Sequence, residues 1–174
     1  TCHNNDEKAV KLLETNPSVI NILDEPWKGG TMEGPGGGQK LNCLRRFISD
    51  LPDHDVVVFT DGFDVFWTRD LDEVVGRFLD MKAEIVFAAE RHLWPDQTLR
   101  FPPAITPYRY LNSGCLIGRV GELKQVLAQP ISDDADDQHE AEHGDDAGNH
   151  RDQRCHDQCA DDLGQHGLGI RQRQ

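Results

Sequence analysis

No run of apolar residues in this 174-residue chain approaches the ~20 that a bilayer-spanning helix needs, and no charged-then-apolar leader opens it. Basic residues are scarce. Lys and Arg number 18 against 31 Asp and Glu, a net charge of −13. A nucleic-acid surface needs a positive patch, so nucleic acid is excluded as a partner. The five cysteines, at positions 2, 43, 115, 155 and 159, are odd in number and scattered. They make a poor disulfide framework and leave the compartment undecided. Aromatic residues are few and end early. Residues 139–174 contain no aromatic, no Val and no Met, and only eight apolar residues. A segment so poor in apolar surface cannot offset its own ordering entropy. Residues 139–174 are therefore expected to be a disordered tail, or spurious sequence from a displaced reading frame. Residues 1–138 are expected to form one folded domain. Thr1, standing where an initiator Met would, marks a fragment, a mature form or an incomplete gene product.

What is present alternates between two periods. The stretch from Asp6 to Glu14 reads as a short helix, and Val19-Ile20-Asn21-Ile22-Leu23 as a buried strand. A glycine-dense loop follows, from Trp27-Lys28-Gly29-Gly30 to Gly34-Pro35-Gly36-Gly37-Gly38. Such density means tight turns or close backbone approach to another group. A helix is predicted over 39–49, with Leu41, Leu44 and Ile48 on one face. Val56-Val57-Val58-Phe59-Thr60 has the continuous β-branched and aromatic character of a strand covered on both sides. Asp70 and Glu73 have capping-box spacing, and Leu71, Val74, Val75, Phe78 and Leu79 form a core-facing helical stripe. Ile85-Val86-Phe87-Ala88-Ala89 reads as a strand ending at Glu90. Leu111-Asn112-Ser113-Gly114 leads into another apolar run, and a helix is predicted over 121–129. This alternation predicts an α/β sheet with helices on both faces.

In such a sheet ligands bind beyond the carboxyl ends of the strands, where Asp61 and Asp64 lie. Two carboxylates three residues apart at a strand-to-loop turn can converge on a hard cation such as Mg²⁺ or Mn²⁺. The competing reading gives them only turn and cap hydrogen bonds. The glycine loop ending in Gln39-Lys40 can offer N–H groups and an ammonium to phosphate, although it lacks the Gly-Lys-Ser/Thr of a Walker A loop. Alternatively it is a flexible surface loop. Trp27 and Trp94 sit in loops, as packing residues or as platforms for a sugar or base ring. Asp133-Asp134-Ala135-Asp136-Asp137-Gln138 is either a solvated acidic stretch or a second functional cluster. His150, Cys155, His156 and Cys159 fit no standard zinc spacing. Together, the acidic pair, the glycine loop and the loop tryptophans describe a site for a nucleotide diphosphate bearing a sugar. A phosphotransferase with Asp61 or Asp64 as nucleophile is the weaker enzyme class, because its further motifs cannot be placed.

The blocks Trp27-Lys28-Gly29-Gly30, Gly36-Gly37-Gly38-Gln39-Lys40, Val58-Phe59-Thr60-Asp61-Gly62-Phe63-Asp64, Phe87-Ala88-Ala89-Glu90, Trp94-Pro95, Leu111-Asn112-Ser113-Gly114 and Asp136-Asp137-Gln138 occur in this order. Their combination resembles the N-terminal glycosyltransferase domain of the collagen lysyl hydroxylases and related collagen glycosyltransferases, over roughly residues 19–138. The resemblance implies a GT-A-like, Rossmann-like nucleotide-sugar-binding sheet that is incomplete at both ends. The family's first strand would precede Thr1, and the His-Gly-Asn segment that completes its metal site has no match after Gln138. It implies Mn²⁺ held by Asp61 and Asp64, and a UDP-glucose or UDP-galactose donor contacted by Trp27, Gly38, Lys40, Thr60 and Phe63. Phe63 stands where the family usually has Tyr, and Thr31 where it tends to have Asp. Trp94, Asn112 and Gln138 fall on the sugar and acceptor side, and Asp136 and Asp137 match acidic residues essential for transfer. The implied acceptor is hydroxylysine or galactosyl-hydroxylysine in a collagen-like protein, and the implied location is the endoplasmic reticulum of the secretory pathway. A GT-A-like binding module without catalysis, or a truncated fragment, is the alternative. Nothing in the sequence sets an oligomeric state.

Overall fold

The computed structural model describes residues 1–16, 18–28, 37–93 and 97–132, together with the backbone of residues 170–172. In chain order the elements are α1 (Val10–Thr15), α2 (Gly38–Ile48), β1 (Val56–Thr60), β2 (Val65–Trp67), α3 (Leu71–Asp80), β3 (Ile85–Glu90), β4 (Tyr110–Arg119), α4 (Val120–Val126) and β5 (Ile170–Gln172). Three strands form an open sheet in the order β1-β4-β3, with β4 antiparallel to both neighbours. β1 and β3 therefore run parallel to each other, and their carboxyl ends lie on the same side as the first half of β4. β2 pairs antiparallel with β5 in a separate two-stranded ribbon.

The expected two-sided covering of the sheet is what packs the core. Phe59 and Leu116 join Cys2, Cys43, Leu44, Ile48, Val120 and Leu123 in one buried cluster, which places α2 and α4 on that face. Val86 and Ile117 join Leu12, Val65, Trp67, Val74 and Phe78 in the other, under α1 and α3. Successive residues of β1 alternate between the two: Val57 and Phe59 meet the first cluster, Val56 and Val58 the second. Phe59 and Phe78 are both fully enclosed, and each such ring contributes about 1.5–3 kcal/mol relative to exposure.

Local signals start and stop the helices. Asp70 caps α3 by accepting the Glu73 backbone N–H at 2.8 Å. The Glu73 carboxylate turns instead to Arg77 at 2.7 Å, so only half of the capping box forms. Leu71 and Leu79, at the edges of the predicted stripe, remain 45% and 46% exposed, and α3 buries only its Val74 and Phe78 line fully. α2 starts from Gly37 at φ 118°, a left-handed conformation that a side chain would strain.

One strand expectation is corrected. Residues 19–23 form no strand, and Ile20 is 62% exposed. This segment runs beside residues 1–3: the Ile22 N–H reaches the Thr1 carbonyl at 2.9 Å, and the Asn21 amide brackets the His3 backbone. Its pairing is thus taken partly by a side chain and cannot extend into a ladder. The tail expected at 139–174 lies outside the described residues apart from β5. No helix among the described residues is long and apolar enough to cross a membrane.

Candidate functional site

The site grows from an irregularity in β4. Phe87 pairs with Leu116, yet its neighbour Ala88 pairs with Asn112, so residues 113–115 are extra on the β4 side. Such bulges bend a strand and re-aim its groups. On its other edge β4 keeps the β1 register, and the Gly114 carbonyl accepts the Asp61 N–H at 2.7 Å, one step beyond the Thr60–Cys115 pair. The Asn112 side chain holds the bulge in shape, accepting the Gly114 N–H at 2.7 Å and donating to Glu90 Oε1 at 3.2 Å. Burial pushes the Glu90 carboxyl up, opposed by the Asn112 amide and His92. Asn112 therefore links the ends of β1 and β3.

Asp61 and Asp64 leave β1 within one turn, both half-buried. The thiol of Cys115, opposite Thr60, senses both: it is pushed up to about 12, first by burial and then by the charges of Asp61 and Asp64. Lys40 supplies the counter-charge, its Nζ lying 3.0 Å from Asp61 Oδ1 with only 12% of the side chain exposed. Thr60 is buried, while Phe63 is 42% exposed and turned toward solvent.

The first turn of α2 brings in the Trp27 loop. Gln39 is fully buried, accepts the Lys28 N–H at 2.6 Å and donates to the Pro26 carbonyl at 3.0 Å. Its amide clamps the backbone on both sides of Trp27, whose ring packs partly against the α2–α4 cluster. Gly38 and Lys40, on either side of Gln39, open the same helix. The clamp is a role that sequence spacing does not reveal, because a Gln after a glycine run carries no apolar or charge signature. Glu90 was likewise legible only as a strand end.

The structure therefore brings Lys40, Thr60, Asp61, Phe63 and Asp64 to one end of β1, with Asn112 joined through the bulge and Trp27 and Gly38 held by α2. Trp94, Asp136, Asp137 and Gln138 lie outside the described residues.

Among the described residues the group that gathers three metal-type ligands is Asp24, Glu25 and Cys43. Arg46 already fills it, with Nη2 at 2.6 Å from Asp24, 2.9 Å from Glu25 and 3.2 Å from the Cys43 sulfur.

Comparison with known proteins gives the chain its family. The model of the PLOD GT domain, a GT-A-like domain, matches residues 7–139 and so ends where the composition changes. A procollagen-lysine,2-oxoglutarate 5-dioxygenase of Drosophila melanogaster is 43% identical over 121 residues, covering 67% of this chain and 17% of that protein. The human procollagen-lysine,2-oxoglutarate 5-dioxygenase 2 is 37% identical over 120 residues, 66% of this chain and 16% of the relative. A multifunctional procollagen lysine hydroxylase and glycosyltransferase of Caenorhabditis elegans is 32% identical over 137 residues, 75% of this chain and 19% of the relative. The chain thus spans less than a fifth of the length of these relatives. With more than half of its length matched, the chain belongs to the PLOD GT domain family, the glycosyltransferase domain of the lysyl hydroxylases.

Proposed function

We propose that this domain transfers glucose or galactose from a UDP-sugar to hydroxylysine or galactosyl-hydroxylysine of a collagen-like protein, in the endoplasmic reticulum of the secretory pathway. The observation that carries the reading is the place of Asp61 and Asp64 in the turn that leaves the end of β1, with Lys40 Nζ 3.0 Å from Asp61 Oδ1. Their oxygens suit a hard divalent cation, and their partial exposure leaves room for water and phosphate oxygens in its shell. Mn²⁺ bound there would neutralise the UDP leaving group.

The remaining work falls to this chain's own groups. Lys40 holds Asp61 in place and offers its ammonium to the diphosphate, next to the Gly38 backbone at the positive end of α2. Phe63 presents an exposed ring for the base, keeping the aromatic face without a hydroxyl. Thr60 and Trp27 line the nucleotide side. Asn112 sets the sugar side by fixing the bulge against Glu90. Trp94 and Gln138 are assigned to the sugar and acceptor, and Asp136 and Asp137 to orienting or deprotonating the acceptor hydroxyl.

A second reading keeps the fold and nucleotide site without transfer. It is favoured by the ligand count, since the three-ligand group among the described residues lies elsewhere and is filled by Arg46. One experiment separates the readings. UDP is titrated calorimetrically into the full chain with and without Mn²⁺, and release of UDP from UDP-glucose and UDP-galactose is then followed with a hydroxylysine-containing collagen peptide. Binding with acceptor-dependent release supports the transferase, and binding without release supports the module. No binding by folded protein contradicts both.

A further inference from the structure

Beneath the Asp61–Asp64 turn lies a side chain that the glycosyltransferase reading does not use. His3 is clamped at its backbone by Asn21, whose Oδ1 accepts the His3 N–H at 3.2 Å and whose Nδ2 donates to the His3 carbonyl at 2.9 Å. Its ring is only 2% exposed, and Nε2 lies 2.8 Å from the Asp6 carboxylate. A carboxylate accepts, so Nε2 carries a proton and donates to it. Nδ1 is buried without a hydrogen-bond partner.

The inner edge of this ring faces Gly62. A Cβ added at Gly62 would lie 2.7 Å from His3 Cβ and 2.8 Å from both Cγ and Nδ1. The imidazole occupies the volume that a side chain at 62 would take. On the next residue, Phe63 packs edge-on against the same ring, with centroids 6.1 Å apart. His3 thus touches the two residues joining the carboxylates. An apolar side chain would fill this space without leaving a buried nitrogen unpaired. What the imidazole adds is the bond to Asp6, which fixes the rotation of the ring.

We propose that His3 is a positioning residue: its ring, oriented by Asp6, is the buttress that sets the geometry between Asp61 and Asp64. Its effect on the cation rests on the reading of that turn as the cation and diphosphate site. The contact itself does not depend on that reading.

The test uses the full chain as wild type, His3→Gly, Gly62→Ala and the double variant. Thermal melting and calorimetric affinity for UDP in Mn²⁺ are the readouts. Gly62→Ala is expected to lower the melting temperature and to weaken UDP binding at least tenfold. Adding His3→Gly removes Cβ, Cγ and Nδ1, the three atoms that a Cβ at 62 would meet, and is expected to restore most of the melting temperature and at least threefold of the affinity. Strictly additive losses would overturn the proposal. If the wild type binds no UDP, the glycosyltransferase reading falls, and the melting data alone decide whether His3 and Gly62 are coupled. Should Gly62→Ala fail to fold, His3→Leu serves instead, because it keeps the volume and loses the bond to Asp6. It is expected to stay folded while raising the Mn²⁺ concentration for half-maximal UDP binding about fivefold, with His3→Gln, which keeps a donor toward Asp6, recovering part of this. An unchanged Mn²⁺ requirement in His3→Leu would overturn the positioning role.

Discussion

Two acidic pairs flank α2, and that helix supplies a cation to each. Asp24 and Glu25 meet Arg46 near its carboxyl end, and Asp61 meets Lys40 near its start. The guanidinium is a planar fork. It binds Asp24 through both Nε and Nη2 and reaches Glu25 and Cys43 as well, so one cation gathers the whole group. The ammonium is a point charge 3.0 Å from Asp61 Oδ1, and the sequence places a second carboxylate three residues on. Similar composition therefore yields one closed ion cluster on a guanidinium fork and one turn that meets a point charge. A list of acidic residues cannot tell them apart, whereas the shape of the counter-cation does.

The largest contrast is expected from removing the two cations. Lys40→Ala should weaken Mn²⁺-dependent UDP binding by about ten- to a hundredfold, the scale of a lost charge-assisted hydrogen bond of about 1.5–3 kcal/mol. Arg46→Ala should leave it within about twofold, since an exposed ion pair is worth about 0–1 kcal/mol even to stability. Calorimetry on both variants checks this, and equal losses would erase the distinction.

Acid should separate them next. The Arg46 hydrogen bond holds the Asp24 carboxyl below its ordinary value. A depressed carboxyl stabilises the folded state above its unfolded pKa, and that contribution is lost as pH falls through the folded pKa. Melting temperature measured from about pH 5 down to pH 2.5, across the ordinary carboxylate range, should fall less steeply in Arg46→Ala than in wild type. Parallel curves would show that the closed cluster contributes no pH dependence.

The smallest effect probes the Asp61–Asp64 pair through its thiol reporter. Asp61 and Asp64 add to burial in pushing Cys115 up, so Asp61→Asn and Asp64→Asn should each speed alkylation of Cys115 a few-fold at fixed alkaline pH. Asp24→Asn should change Cys43 less, because Arg46 beside it opposes the Asp24 charge. Peptide mass spectrometry after timed labelling reads both, and an unchanged Cys115 rate would place the carboxylates apart.

Much of this was legible from the residues, and the rest had physical reasons to be hidden. β1 announces itself because a buried strand needs Val56 to Phe59 in an unbroken run, and that also places Asp61 at its end. The Asp70 cap is a local hydrogen bond and reads locally. Residues 19–23 carry the same β-branched signature yet form no strand, since periodicity reports burial and says nothing about which backbone is available to pair. The bulge at residues 113–115 is a register event between β4 and β3, invisible within either strand. β2 is three residues long and pairs with residues about a hundred positions away. The Gln39 clamp and the His3 contact with Gly62 join segments 11 and 59 residues apart, and neither chemical type advertises its partner. Family resemblance supplied roles that these local patterns do not contain.

The central claim is that Asp61 and Asp64, and not Asp24 and Glu25, hold the cation that recruits the nucleotide. Calorimetric titration of UDP into the full chain in Mn²⁺, for wild type, Asp61→Ala/Asp64→Ala and Asp24→Ala/Glu25→Ala, tests it most directly. The account predicts Mn²⁺-dependent binding that the first double variant abolishes and the second preserves. Binding that survives loss of Asp61 and Asp64, or disappears with Asp24 and Glu25, would contradict it.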